Sequence, residues 1–406
     1  MIRVVALCCL LLATVLGFLH LDSHPAWAPF QAQEMVSTES ESESESSHNA
    51  KAALIQPKLN WLPDTGAASV HAASLIALKD DSLRAFWFAG SREGAADVVI
   101  NSAVFDPHTN SWGEPSVVID RITAEKSLAR YIAKLGNPVP ARTADGRLQL
   151  FFVTVSIGGW AGSSISTMIS SDEGLTWSKP QRLITSPFTN LSTLVKTPAI
   201  LFADSRLGLP AYHEWIGKFG ELLRIDGDQV IDKRRMSSGR SAIQPLVLVD
   251  APEKAEAYFR QTRSSSKPHQ IPVSETQNAG QSWQVQADLP IANPNAAIAG
   301  VLLSNGLRVL VVNDLEAGRS RLVMLAKDHS DTQWQTIAVL EDDEALAPEQ
   351  RREFSYPYMI ANGTQVDLVY TWDRKKIRHI RFDSNWIKQA YSNAQAKTVS
   401  SEEGKQ

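Results

Sequence analysis

A phenol, an imidazole and a carboxylate stand side by side at Tyr212-His213-Glu214, closing the strand-like run LGLPAYHEW. These are proton-exchanging groups: an imidazole titrates near neutral pH, so His213 can donate a proton and Glu214 can supply a negative charge. Three such groups ending a strand beside Trp215 and Gly217 are an unusual composition for a plain loop, although a structural His-Glu pair is an alternative reading of the same residues. Other chemistries are poorly represented. The acidic residues lack calcium-loop spacing and the histidines lack paired zinc-ligand spacing, so no metal site is expected. No glycine-rich phosphate loop occurs either, and no cofactor is expected. Net charge is −4 and no Lys or Arg run is long enough to grip phosphates, so nucleic acid is not an expected partner.

The elements that would position such groups are strands. Between about Asn60 and Phe382 the chain is a succession of short β-branched and aromatic runs, such as RAFWFAG (84–90), LQLFFVTVSI (148–157) and QVDLVYTW (365–372), broken by Asp, Asn and Gly. One window, SSDEGLTW (170–177), has the chemistry of a tight turn: Asp172 bonds backbone further along, Gly174 takes a positive φ, and Trp177 opens the next strand. A softened copy, TQNAGQSW, occupies 276–283, and fainter echoes run from Asp106 to Trp112 and from Asp328 to Trp334. The repeat of about 50 to 65 residues suits a four-stranded propeller blade, and about 320 residues at that period make six. The expected fold is therefore all-β, a six-bladed β-propeller spanning 56–390, with site residues scattered one or two to a blade around the channel mouth.

The ends read differently. MIRVVALCCLLLATVLGFLHL places one Arg before an apolar stretch and is followed by the small-x-small tripeptide Ala26-Trp27-Ala28, the layout of an export signal over 1–28. The stretch is short for a spanning helix, and no membrane partner is expected beyond an N-terminal anchor, should the segment stay uncleaved. Both cysteines, Cys8 and Cys9, fall inside it, so the exported product would carry neither a disulfide nor a thiol nucleophile. A Ser/Glu-rich spacer is expected over 29–55, and a loose polar tail over 391–406.

The turn S-x-D-x-G-x-T-W resembles the Asp-box of the sialidase superfamily, and the chain is similar to BNR-repeat, sialidase-like proteins through this turn and through GSREGAADVVI (90–100), LGNPVP (135–140), GRSRL (318–322) and FSYP (354–357). The resemblance implies a propeller of the sialidase type in which arginines clamp a substrate carboxylate, an Asp serves as acid/base, and a Tyr activated by a Glu is the nucleophile, the Tyr-nucleophile exception among glycosidases. Carried over residue by residue, it implies Arg92, Arg260 and Arg319 as carboxylate-binding arginines, Asp97 as acid/base and Tyr356 as nucleophile, with Tyr358 its nearest rival. Two positions depart from the pattern. His71 stands where the first arginine of the triad is expected, and Gln244 stands where the activating Glu is expected. Glu214 is then the foremost candidate for the missing charge, with Glu353 and Glu93 behind it, while Asn137, Asn190 and Trp160 have the chemistry of sugar contacts.

The leading expectation is an exported sialidase-like glycoside hydrolase acting on a terminal acidic sugar of a glycan. Two alternatives are a polysaccharide lyase, using His71 or His213 with Tyr356 to remove the proton beside a uronate carboxylate, and a glycan-binding propeller without turnover, which Gln244 favours.

Overall fold

The computed structural model describes residues 2–21, 26–31, 55–186, 190–263 and 269–403. The Ser/Glu-rich run from Ser37 to Ser47 lies outside the described residues. Six antiparallel sheets form the blades of a six-bladed β-propeller, as the turn repeat predicts. Their innermost strands begin the blades at Ser69–Ala77, Lys134–Arg142, Leu194–Val195, Ala242–Ala251, Ala299–Leu302 and Phe354–Asn362. The first packs against both the second and the last, which closes the ring. Closure is completed by Lys58–Trp61, which pairs with Lys376–Asp383 as the outer strand of the sixth blade. Joining the two ends of the propeller chain in one sheet removes the free edges that an open fan of sheets would expose.

Strand alternation puts the core between the blades, and the repeated tryptophans lie in these seams. Trp177 of the second blade meets Phe86 of the first at 5.8 Å. Trp334 of the fifth meets Tyr258 of the fourth at 6.1 Å. Trp112 of the first meets His379 of the sixth at 5.2 Å. Each strand-opening Trp thus reaches back to the preceding blade, where a large ring buries the most apolar area per residue.

The two clearest turn repeats have the same geometry. The hydroxyl of Ser170 and the amide and hydroxyl of Thr176 donate to the Asp172 carboxylate at 2.7, 2.9 and 2.6 Å. These donors hold its pKa at about 2. In the other copy Asn278 accepts from the Thr276 hydroxyl at 3.0 Å and the Ser282 amide at 2.9 Å. Both turns carry two successive left-handed residues, Glu173 and Gly174 in one, Ala279 and Gly280 in the other. Gly174 is required for space as well as φ, since a Cβ there would lie 2.7 Å from Arg84 Nε.

The tail differs from the expectation of a loose segment. Ser384–Glu403 is a helix. Its Ile387 and Tyr391, one turn apart, are buried in the cluster formed by the fifth and sixth blades. The Trp386-Ile387 and Tyr391 spacing is an apolar stripe hidden within a polar composition. Among the described residues no helix is long and apolar enough to cross a membrane.

Candidate functional site

One device places most of the candidate residues. Four inner strands skip register near their starts, between His71 and Ser74, Gly136 and Val139, Ile243 and Leu246, and Ser355 and Tyr358. In each bulge one residue is left-handed: Ala72, Asn137, Gln244 and Tyr356. Pro138, Pro245 and Pro357 follow three of them, and proline lacks the N–H that a continued ladder would need. A bulge adds a residue and re-aims its side chain. Asn137, Gln244 and Tyr356 are thereby brought together at one end of the channel. The turn repeats lie at the opposite end, beyond the far ends of the third strands.

Gln244 is the hub of the cluster. Its Oε1 accepts from Arg260 Nη1 at 3.4 Å, and because an arginine only donates, the amide nitrogen must face the other way. That nitrogen donates to the hydroxyl oxygens of Tyr212 at 3.2 Å and Tyr356 at 3.3 Å. Arg260 Nη1 also donates to Tyr356 Oη at 3.4 Å, and Asn137 Nδ2 donates to Tyr212 Oη at 3.3 Å. Both phenols therefore accept two hydrogen bonds, and among the described residues no carboxylate hydrogen-bonds to either. Burial, with the charges of Tyr356 and Glu214 behind it, pushes the Tyr212 hydroxyl well above its ordinary range.

The arginines are set by Asn295, itself left-handed. Its side-chain oxygen accepts from Arg260 Nε at 2.7 Å and its carbonyl from Arg319 Nη2 at 2.9 Å. Arg319 also pairs with Glu353 at 3.0 Å, and Glu353 continues to Arg374 at 3.0 Å, which in turn bonds Glu93. Burial raises the Glu353 pKa, but Arg374 and Arg319 outweigh it and hold the carboxyl at about 2. Glu353 is thus a fixed anion committed to arginines. Burial, and next the charge of Arg260, lower the pKa of Arg319. Two guanidiniums are being held together, and Arg260 has no carboxylate within ion-pair distance among the described residues.

His71 lies against Tyr356, ring centroids 4.3 Å apart, and is 1% exposed with neither ring nitrogen hydrogen-bonded. Burial, then the charge of Arg374, lower its pKa well below the usual value, so the ring is neutral. Lys196 closes the other side. It is 3% exposed, donates to the Pro357 carbonyl at 3.0 Å, and lies 5.4 and 5.2 Å from the rings of Tyr356 and Tyr358. Burial lowers its pKa to about 7. Simple alternation would put Tyr356 and Tyr358 on one face. The bulge separates them, leaving Tyr358 fully buried and Tyr356 part-exposed at the mouth.

Several candidates lie outside this cluster. Asp97 and Arg92 are exposed on the loop after Leu83–Gly90, at the same end of the channel. Asp97 accepts from the amide and hydroxyl of Ser91 at 2.9 and 3.0 Å, which lowers its pKa and fastens the loop. His213 faces away from its neighbour Tyr212 and pairs with Glu221 at 2.6 Å, stacked on Phe219. Glu214 is half-buried beside the cluster, its amide donating to Ser192 Oγ at 2.8 Å. Asn190 is buried and ties its own loop through Thr185 and Leu183. Trp160 lies over Gly136, where a Cβ would be 2.7 Å from its ring.

Residues 81–368 match the family model described as a BNR repeat-like domain. The chain belongs to this family. The sialidase-like BNR-repeat protein is also similar in structure to a Hadza microbial sialidase, with TM-score 0.63 and 12% identity over 78% of this chain and 66% of that one. A protein of unknown function from Dyadobacter fermentans gives TM-score 0.62 and 11% identity, covering 80% and 98% of the two chains. The NanB sialidase of Streptococcus pneumoniae gives 0.59 and 11%, covering 80% and 70%. At such identities the likeness establishes the propeller alone. Comparison with curated proteins gives no match.

Three residues of the cluster carry no signal in the sequence that marks them as site groups: Lys196, Asn295 and Arg374. A nearby proline is the one mark that two of them carry, since Lys196 precedes Thr197-Pro198 and Asn295 follows Pro294. Arg374 carries no comparable mark. It comes from a tight turn with Asp373, both left-handed.

Proposed function

We propose that this protein acts on glycans at a terminal acidic sugar, as an exported sialidase-like hydrolase. The observation that carries the reading is Arg260, a guanidinium without a carboxylate partner among the described residues, held by Asn295 beside Arg319 and touching the Tyr356 hydroxyl. An anion placed between two like charges relieves their repulsion, and a carboxylate matches a guanidinium fork in shape. In this reading Arg260 and Arg319 hold the sugar carboxylate, and Asp97 on its exposed loop protonates the leaving oxygen. Tyr356 Oη attacks the anomeric carbon as the bond to the leaving oxygen breaks, its own proton passing to solvent. Water then cleaves the tyrosyl–sugar bond and frees Tyr356. Gln244 and Arg260 both donate to Tyr356 Oη, which fixes the attacking oxygen at the mouth. Glycan-acting neighbours, among them the S. pneumoniae and Hadza sialidases, support the substrate class. The apolar helix Ile2–Leu21 supports export.

A second reading is binding without turnover. Gln244 favours it, because an amide that donates to Tyr356 cannot take its proton. The test is a product-resolved assay against 4-methylumbelliferyl sialic acid and uronate oligosaccharides. Release of an acidic sugar that Tyr356→Phe and Asp97→Ala each reduce by on the order of 10² to 10⁴ is the expected result. Saturable binding with no product would select the second reading, and an unsaturated uronate would make the protein a lyase.

A further inference from the structure

The tripeptide Ala26-Trp27-Ala28 has the form of an export-signal cleavage site, yet the structure builds it into the propeller. Trp27 is 4% exposed and Phe30 2%. The Trp27 indole N–H donates to Asp232 Oδ2 at 2.8 Å, and its ring lies between the guanidiniums of Arg224 and Arg234, 5.7 and 5.4 Å away. It meets Phe202 edge-on at 5.6 Å, and Phe30 stacks on the same ring at 5.2 Å. Backbone bonds fasten the segment on both sides: Phe30 N–H to the Pro252 carbonyl at 2.6 Å, Gln31 N–H to that of Leu201 at 2.8 Å, and Ala203 N–H to that of Pro29 at 2.8 Å. Leu201, Phe202 and Ala203 belong to the third blade and Pro252 to the fourth.

The receiving surface is shaped for these rings. Gly280 of the second turn repeat approaches both, and a Cβ there would lie 3.4 Å from each and 2.9 Å from Leu222. A buried indole with its N–H satisfied by a carboxylate and its faces covered by cations is a built pocket. A chain cut after Ala28 would lose the indole and leave Asp232 without that donor, with the pocket between two blades open.

We propose that residues 26–31 are a permanent clasp joining the third and fourth blades, and that the chain is not cut at Ala26-Trp27-Ala28; any processing falls upstream of Trp27. Because Pro252, Phe202 and Gly280 all lie at the turn-repeat end, the N-terminal segment approaches the propeller from the face opposite Tyr356. The clasp and the candidate site therefore lie at opposite ends of the channel.

Two measurements on the full chain test the clasp. The intact mass of the protein recovered from expressing cells should include Trp27. Trp27→Ala should lower Tm by about 5 to 10 °C, the range for emptying a buried aromatic pocket in a domain of this size. A mature mass beginning at Pro29, or a Trp27→Ala protein with unchanged Tm, would overturn the proposal. If Trp27→Ala fails to accumulate, the mass of the unaltered protein decides alone.

Discussion

Replacing Arg260 with methionine is expected to weaken binding of an acidic sugar by about a hundredfold, near 2.7 kcal/mol at roughly 1.4 kcal/mol per tenfold. Removing one partner of a desolvated, hydrogen-bonded charge pair costs about 2–5 kcal/mol, and Arg260 is part-buried with no carboxylate among the described residues to compete for it. Methionine keeps most of the stem, so the Tm should fall far less than affinity. Arg92→Met, on an exposed loop outside the cluster, should change affinity less than tenfold. The measurement is isothermal calorimetry with N-acetylneuraminic acid and a uronic acid. An Arg260→Met protein that binds both within threefold of the unaltered chain would remove the arginine from the site.

Lys196→Met is expected to stabilise the protein. The buried ammonium has its pKa lowered from 10.5 to about 7, so between those values the unfolded chain binds the proton and the folded protein does not. Stability must then rise with pH through that window, and below about pH 7 the full penalty of the buried charge is present. At roughly 1.4 kcal/mol per pH unit the penalty is about 5 kcal/mol. Loss of the bond to the Pro357 carbonyl and of the contacts with two tyrosine rings offsets part of it. A net gain of about 2 kcal/mol at pH 7 is expected, shrinking toward pH 10. His71 does not interfere, because its lowered pKa acts only below about 6.5. Calorimetric melts at pH 7, 8.5 and 10 check this. A constant difference across the three would show that Lys196 does not titrate in the window.

The blades were legible because their signal is local. Asp172 and Thr176, or Asn278 and Ser282, are four residues apart, and in both pairs the later amide donates to the earlier side chain. The alternation of runs such as LQLFFVTVSI likewise needs no knowledge of neighbours. Gln244, Arg260 and Tyr356 were named on family order, and the fold brings them within 3.4 Å of one another. What alternation could not supply was the register skip, which separates Tyr356 from Tyr358 and gathers Asn137 into the cluster. Lys196 reads as an ordinary strand-end lysine until the ring of blades closes over it. Arg374 reaches Glu93 only because closure brings the sixth blade beside the first. The closing strand Lys58–Trp61 was hidden for the same reason, since its partner is more than three hundred residues away in sequence.

The channel mouth is expected to recognise a carboxylate. Calorimetric titration of the unaltered protein with N-acetylneuraminic acid and with its methyl ester tests it most directly, because the two ligands differ only in that charge. The account predicts saturable binding of the acid and affinity for the ester lower by about fiftyfold or more. Equal affinity for acid and ester would contradict it and place the arginines in a purely structural role.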